Sequence, residues 1–216
     1  MLSFAEEIYL LALDDVTGKI TIPSKDIVLS SVLIGAVLCE LAFLNKIDND
    51  QEFLYLLNTE STGNPILDET LKIIQQTGQE KNTIYHCLKI LLPNAKRIEQ
   101  DVLAHLIKRG ILKQINEKIL WLFPARRYPV INNSEVKDVE TRLREIILTD
   151  SIPTPRDTVL ISLAHTCDLL EDILSPRELR RSTERIEELA KLDLVGQEVA
   201  QLINQINAFR SMPPYI

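Results

Sequence analysis

In the stretch LAHTCDLLED, His165 and Asp168 stand at i, i+3, a separation that brings two side chains together on one helix face. A histidine oriented by a carboxylate can serve as a general base. The same pair can equally be a structural polar contact, and this is the reading the sequence favours. Cys167 falls on another face of that helix, so a cysteine–histidine nucleophile pair is poorly served. Catalytic signatures such as GxSxG, a Walker loop, GxGxxG or HExxH are missing from the chain. Cys39, Cys87 and Cys167 are odd in number and far apart, which gives neither a disulfide framework nor a CxxC metal knuckle. They are expected to be small buried hydrophobes in a reducing compartment. The residues therefore predict no enzyme, no metal and no cofactor.

A different chemistry is written between Lys96 and Arg127. Eight basic residues (Lys96, Arg97, Lys108, Arg109, Lys113, Lys118, Arg126 and Arg127) face three acids (Glu99, Asp101 and Glu117) in this window, a balance of +5. The whole chain carries −7, which leaves −12 for the rest. Such an acidic body excludes a protein whose whole surface tracks nucleic acid, since phosphate neutralisation needs lysine and arginine in excess. Any anion-binding role must be local.

The same window holds ILWLFPARRYP, with the only tryptophan, Trp121, inside a five-residue apolar run that two adjacent arginines follow. Two apolar runs, ILKQI and ILWLF, flank the polar Asn116, Glu117 and Lys118, which predicts a β-hairpin over about 111–123. Strand alternation would then put Ile119, Trp121 and Phe123 on one face and Leu120 and Leu122 on the other. Tryptophan and phenylalanine favour the boundary between water and hydrocarbon, and a basic side chain gains about 1 kcal/mol at an anionic membrane surface. Together they form a two-part anchor. The alternative, Trp121 packed beneath the hairpin against helices, is equally compatible with the sequence.

The elements that must position these residues are mostly helical. Ser3 and Glu6 form a capping box for a helix to about Leu13, stopped by the turn DDVTGK. After the extended KITIP comes IVLSSVLIGAVLCELAFL (27–44), long enough to cross a bilayer but carrying Glu40, two serines and a glycine. A helix apolar all round lies at the centre of a fold, and that is its expected place. NKIDNDQEFLYLLN suggests a strand or a short irregular piece. Amphipathic spacing predicts helices over NPILDETLKIIQQ, 82–92 and 95–108, the last stopped by Gly110. Ser134 is expected to cap SEVKDVETRLREIILTD, with Arg142 and Arg144 solvated. After the break at IPTPRD, one helix is expected over TVLISLAHTCDLLEDIL, another from Pro176, and a last one over QEVAQLINQINAF. Acidic pairs such as Glu6 and Glu7, Asp14 and Asp15, or Glu187 and Glu188 read as caps or a solvated face. RELRRSTER reads as a helix laced by its own ion pairs. With no repeat and no linker, 1–216 is expected to be one mainly helical domain, a core bundle surrounded by amphipathic helices, with one projecting hairpin.

Four stretches, FAEEIYLLALDDVTGKI, IGAVLCELAFLNKI, STGNPILDETL and LISLAHTCDLLEDIL, resemble the Golgi phosphoprotein 3 family in consistent order along nearly the whole chain. LIKRGIL before the hairpin adds weaker similarity. The resemblance implies a single helical domain with a projecting hairpin used for membrane contact and oligomerisation. It also implies binding to phosphatidylinositol 4-phosphate and to the cytosolic tails of Golgi glycosyltransferases. The chain looks like the prokaryotic members, starting directly with the domain and lacking their relatives' polar N-terminal extension. The family's lipid pocket uses a tryptophan and three arginines, and the matching positions here are Lys25, Ile34, Lys96 and Glu99. Ile34 has no aromatic or cationic function, Glu99 reverses the sign, and lysine lacks the bidentate geometry of arginine.

The expectation is therefore a cytoplasmic protein peripherally associated with membrane, an adaptor without catalytic residues. Lys25, Lys96, Arg97, Arg126 and Arg127 would meet anionic headgroups, and Ile119, Leu120, Trp121, Leu122 and Phe123 would insert or self-associate. The alternative is a homo-oligomeric scaffold joined through the hairpin. An enzyme built on His165 and Asp168 is a distant third reading.

Overall fold

Ser3 caps α1 (Phe4–Leu11) as its spacing from Glu6 predicts: the Glu6 amide donates to Ser3 Oγ at 3.2 Å and the Ser3 amide to Glu6 Oε2 at 2.7 Å. The computed structural model describes residues 1–14, 17–22, 25–50, 52–79, 81–119, 123–131 and 133–211. At 25–26, 115–119, 123–127, 207 and 209–211 the description is of the backbone.

The apolar segment forms α2 (Lys25–Phe43), the centre of the molecule. Val32, Leu33, Ile34, Ala36, Leu38 and Leu41 are wholly buried, and α1 packs along it with helices from both halves of the chain. Gly35 lets α10 (Leu194–Ser211) approach, because a Cβ there would lie 2.6 Å from Val199 Cγ2. Among the described residues, no helix is long and apolar enough to cross a membrane. Glu40, the misfit in a bilayer reading, accepts from the Phe4 amide at 2.8 Å. The helix ends in a Schellman motif, with Asn45 at φ +53° and the Lys46 amide donating to Leu41 O at 2.9 Å.

NKIDNDQEFLYLLN becomes β1 (Ile47–Asn49) and β2 (Leu54–Leu56), antiparallel with Asp48 opposite Tyr55. Asp50 Oδ1 makes the turn, accepting from the Glu52 and Phe53 amides at 2.8 Å each. β3 (Lys81–Asn82) completes the sheet beside β2. The helix expected from 82 therefore begins later, as α4 (Ile84–Leu91) with Thr83 as its cap. α3 (Pro65–Gln75) is capped by Asn64, and α5 (Ala95–Lys108) follows a short 3-10 turn.

The second half comprises α6 (Ser134–Leu148), α7 (Pro155–Thr166), α8 (Leu170–Ile173), α9 (Pro176–Ala190) and α10. Several expectations need correction. Asn133, not Ser134, occupies the cap position of α6; Ser134 begins the helix and its hydroxyl donates to Glu135 Oε2 at 2.9 Å. The single helix expected over 158–174 breaks at Cys167–Leu169. Asp168 adopts φ +61°, its amide donates to His165 O, and the Leu169 amide donates to Ala164 O. These bonds make a Schellman cap with aspartate in the position usually held by glycine. Ser175 caps α9 with Glu178 in a capping box. One contiguous apolar core joins α1 to α10, so the fold is a single, mainly helical domain.

Candidate functional site

β4 (Ile115–Ile119) and β5 (Phe123–Arg127) pair antiparallel as a sheet of their own, with Glu117 opposite Ala125 and Ile119 opposite Phe123. A hairpin is present in the window the sequence indicates, but its register differs from the expected one. Asn116, Glu117 and Lys118 belong to the first strand, and FPARR, not ILWLF, is the second. The cause lies at the base. Ile111 and Leu112 are buried in the core, and Leu112 pairs with Val130 in the register that continues to Ile119 and Phe123. With those two side chains committed to the interior, ILKQI cannot serve as the partner of ILWLF. Leu120, Trp121 and Leu122 lie outside the described residues, and of Ile119 and Phe123 only the backbone is described.

The base is moored to the body. The Lys113 amide donates to Pro129 O at 3.2 Å and the Ile131 amide to Ile111 O at 2.9 Å. The Tyr128 amide donates to Gly18 O, also at 3.2 Å, in the turn after α1. Gly18 has φ +61°, and a Cβ on it would stand 2.3 Å from the Pro129 nitrogen. Only glycine satisfies both the left-handed backbone and this contact.

The anticipated cations fall in two places. Lys96 and Arg97 are exposed on the first turn of α5. Arg97 shares its charge with Glu69 at 3.7 Å and Asp101 at 4.0 Å. Arg126 and Arg127 stand on β5 opposite Asn116 and Ile115. Lys25 is the first residue of α2. Of the other two positions matched to the family pocket, Ile34 is sealed in the core and Glu99 accepts from the Tyr9 hydroxyl at 3.3 Å. Burial first, then the charge and hydrogen bond of Glu99, push the Tyr9 phenol far above its ordinary range. Glu99 is thus tied to α1.

His165 and Asp168 do not share a helical face, since the chain leaves the helix between them; both are exposed. Cys39, Cys87 and Cys167 are buried, as expected, and burial pushes the thiols of Cys87 and Cys167 up to about 11 and about 12. Among the described residues, no group of three or more His, Cys, Asp or Glu is placed to hold a metal ion.

A buried ion cluster escaped the sequence reading. Glu7, expected on a cap or solvated face, is buried and accepts from Arg156 Nη2 at 2.7 Å and Arg142 Nη2 at 3.2 Å. Arg142 Nε donates to Asp157 Oδ1 at 2.6 Å, and Arg156 also reaches Leu2 O and lies 4.2 Å over the Phe4 ring. Arg144, likewise expected in solvent, pairs with Glu178 and donates to Ile173 O at 3.0 Å. In RELRRSTER, Glu178 closes the cap of its own helix with one carboxylate oxygen and meets Arg144 with the other, and Arg185 leaves its helix to donate to Ile146 O and Ser151 O. These contacts clamp α1, α6, α7 and α9 together. The one local trace was the capping pattern Thr154-x-x-Asp157, which holds the carboxylate that receives Arg142.

Comparison with known proteins gives the chain its relatives. The family model described as Golgi phosphoprotein 3 matches residues 4–206. A VPS74-like protein from Dictyostelium discoideum is 23% identical over 163 residues, covering 69% of this chain. The match spans 62% of that relative, less than two thirds of its length.

Proposed function

This chain belongs to the Golgi phosphoprotein 3 family, and on that premise we propose that it is a non-enzymatic peripheral membrane protein that rests its hairpin on anionic lipid. Lys96, Arg126 and Arg127 supply the electrostatic hold. The apolar stretch from Ile119 to Phe123 supplies the foot. The observation that supports this most is the placement of Arg126 and Arg127 on a two-stranded hairpin whose base is moored to the helical body through Gly18 and the core residues Ile111 and Leu112. Neither the apolar nor the cationic contribution suffices alone, but their sum holds a protein at a surface.

Charge, more than headgroup identity, governs the attraction in this reading. Ile34 is inaccessible, Glu99 is engaged with Tyr9, and Arg97 is partly offset by Glu69 and Asp101, which leaves Lys25 and Lys96 as point charges for a phosphate. The test is co-sedimentation with neutral vesicles, phosphatidylserine vesicles and phosphatidylinositol 4-phosphate vesicles matched for surface charge. Binding to both anionic kinds and not to the neutral one is expected. Absence of binding to any vesicle at low salt would remove the reading. Recognition of the tails of membrane proteins, as an adaptor on a cytoplasmic membrane face, belongs to the proposal through family membership.

A second reading draws on the same hairpin. Among the described residues β4 and β5 form a sheet of two, so each offers an edge for strand addition by another copy. Light scattering coupled to size exclusion separates the two: an oligomer that Trp121→Ala breaks in the absence of lipid assigns the apolar stretch to self-association.

A further inference from the structure

We propose that the outward face of α9 joins two copies of this chain in an antiparallel pair, the arginines of one helix against the glutamates of the other. α9 turns Ser182, Ile186 and Leu189 into the body. Its other side carries six charges, Arg177, Arg180 and Arg181 in the first half of the helix and Glu184, Glu187 and Glu188 in the second. All six are exposed, and none of their side chains makes an ion pair or hydrogen bond among the described residues. The ion pairs within the helix that RELRRSTER suggests do not form on this face. The order of these charges also works against the helix that carries them. Arg177 sits in the first turn, where the dipole favours acids, and Glu187 and Glu188 sit in the last, where it favours bases. Arg177 and Arg181 repel each other at i, i+4, as do Glu184 and Glu188.

A second copy running the other way relieves both conflicts. Arg177, Arg181, Glu184 and Glu188 recur at steps of four, three and four residues, so they keep to one stripe of the helix. A two-fold axis between Ser182 and Thr183, close to the middle of α9, sets Arg177 opposite Glu188 of the second copy and Arg181 opposite its Glu184. Symmetry supplies the same two pairs again. Arg180 and Glu187 flank the stripe, each one position from a residue of opposite sign on the second copy, Glu184 and Arg177 respectively. A parallel pair would set arginine on arginine, and a wholly acidic or wholly basic partner would satisfy half of the face. The antiparallel copy satisfies all of it. Exposed ion pairs are individually weak and screened by salt, so the dimer is weak and salt-sensitive. It shares no residue with the hairpin, and the two interfaces are tested separately.

The experiment is sedimentation equilibrium of the whole chain without lipid, with Trp121→Ala in every arm so that self-association through the hairpin does not register. At about 50 mM salt this parent is expected to dimerise with a dissociation constant below about 1 mM, and at about 500 mM salt the constant should rise at least about tenfold. Arg177→Glu/Arg181→Glu makes the stripe wholly acidic and Glu184→Arg/Glu188→Arg makes it wholly basic, and each should weaken dimerisation at least about tenfold, since like charges then face each other. An equal mixture of the two should regain the parent's level, because every residue of one stripe then meets its opposite on the other. Both variants stay net negative, since two reversals remove or add four charges on a chain of −7, so general attraction cannot imitate this recovery. Both also bring the helix into accord with its dipole, and their urea midpoints should not fall below the parent's. A parent that stays monomeric at about 1 mM in low salt, dimerisation unchanged in either double variant, or a mixture no more associated than its components would overturn the proposal.

Discussion

The amide of Tyr128 donates to the carbonyl of Gly18 at 3.2 Å, and this bond joins the foot of the hairpin to the turn that follows the first helix. It couples two segments that the sequence separates widely. Whatever load the hairpin receives from a surface or a partner passes to the core through this seam and through the buried pair Ile111 and Leu112.

Gly18→Ala is expected to disturb the seam. The left-handed backbone alone costs a non-glycine residue about 1–2 kcal/mol, and the added Cβ would press on the Tyr128 and Pro129 backbone. Chemical denaturation should report at least that loss, with a matching fall in vesicle binding. Unchanged stability would mean that the turn and the hairpin base move apart freely.

Gly35→Ala tests the core crossing. A Cβ 2.6 Å from Val199 Cγ2 must displace α10 or α2, at a cost of about 1–3 kcal/mol. Val199→Ala in the same chain should return part of that loss, which a double-mutant cycle by urea unfolding measures.

Arg156→Met should destabilise strongly. It leaves Glu7 with Arg142 alone and strips a donor from Leu2 O. Removing one partner from a buried ion cluster costs roughly 3–5 kcal/mol. Urea midpoints well below wild type are expected, whereas Arg97→Met, on an exposed pair, should change them little.

Asp193 gives a pH signature. Burial raises its pKa above the ordinary 3.8, so the folded protein holds this proton at a pH where the unfolded chain has released it. Stability contributed by the group therefore grows as pH falls through the raised value toward 3.8 and is lost as pH rises through it. The melting temperature of wild type, minus that of Asp193→Asn, should increase on acidification across this window. A constant difference would contradict the shift.

Local chemistry made much of this fold legible. Ser3 with Glu6, Asn64 before Pro65 and Ser175 before Pro176 each solve a helix end within four residues, and the apolar run of α2 announces a central helix by composition. The hidden part depends on partners distant in sequence. Arg142 meets Glu7 across 135 positions and Cys39 meets Asp193 across 154, so no periodicity could pair them. Ile111 and Leu112 set the hairpin register by entering the core, a tertiary choice that overrides the local symmetry of ILKQI and ILWLF. Asp168 looked helical because its neighbours are; its left-handed conformation is a stop signal usually written as glycine. The candidate site was legible as a charge contrast between residues 96–127 and the rest, and the moorings that position it were not.

Reversing Arg126 and Arg127 together tests the central claim most directly. Wild type should sediment with anionic vesicles at low salt and release them as salt rises, and Arg126→Glu/Arg127→Glu should lose at least about thirtyfold in affinity, from roughly 1 kcal/mol for each basic residue withdrawn. A folded double variant that binds anionic vesicles as well as wild type, with the same salt dependence, would contradict the account.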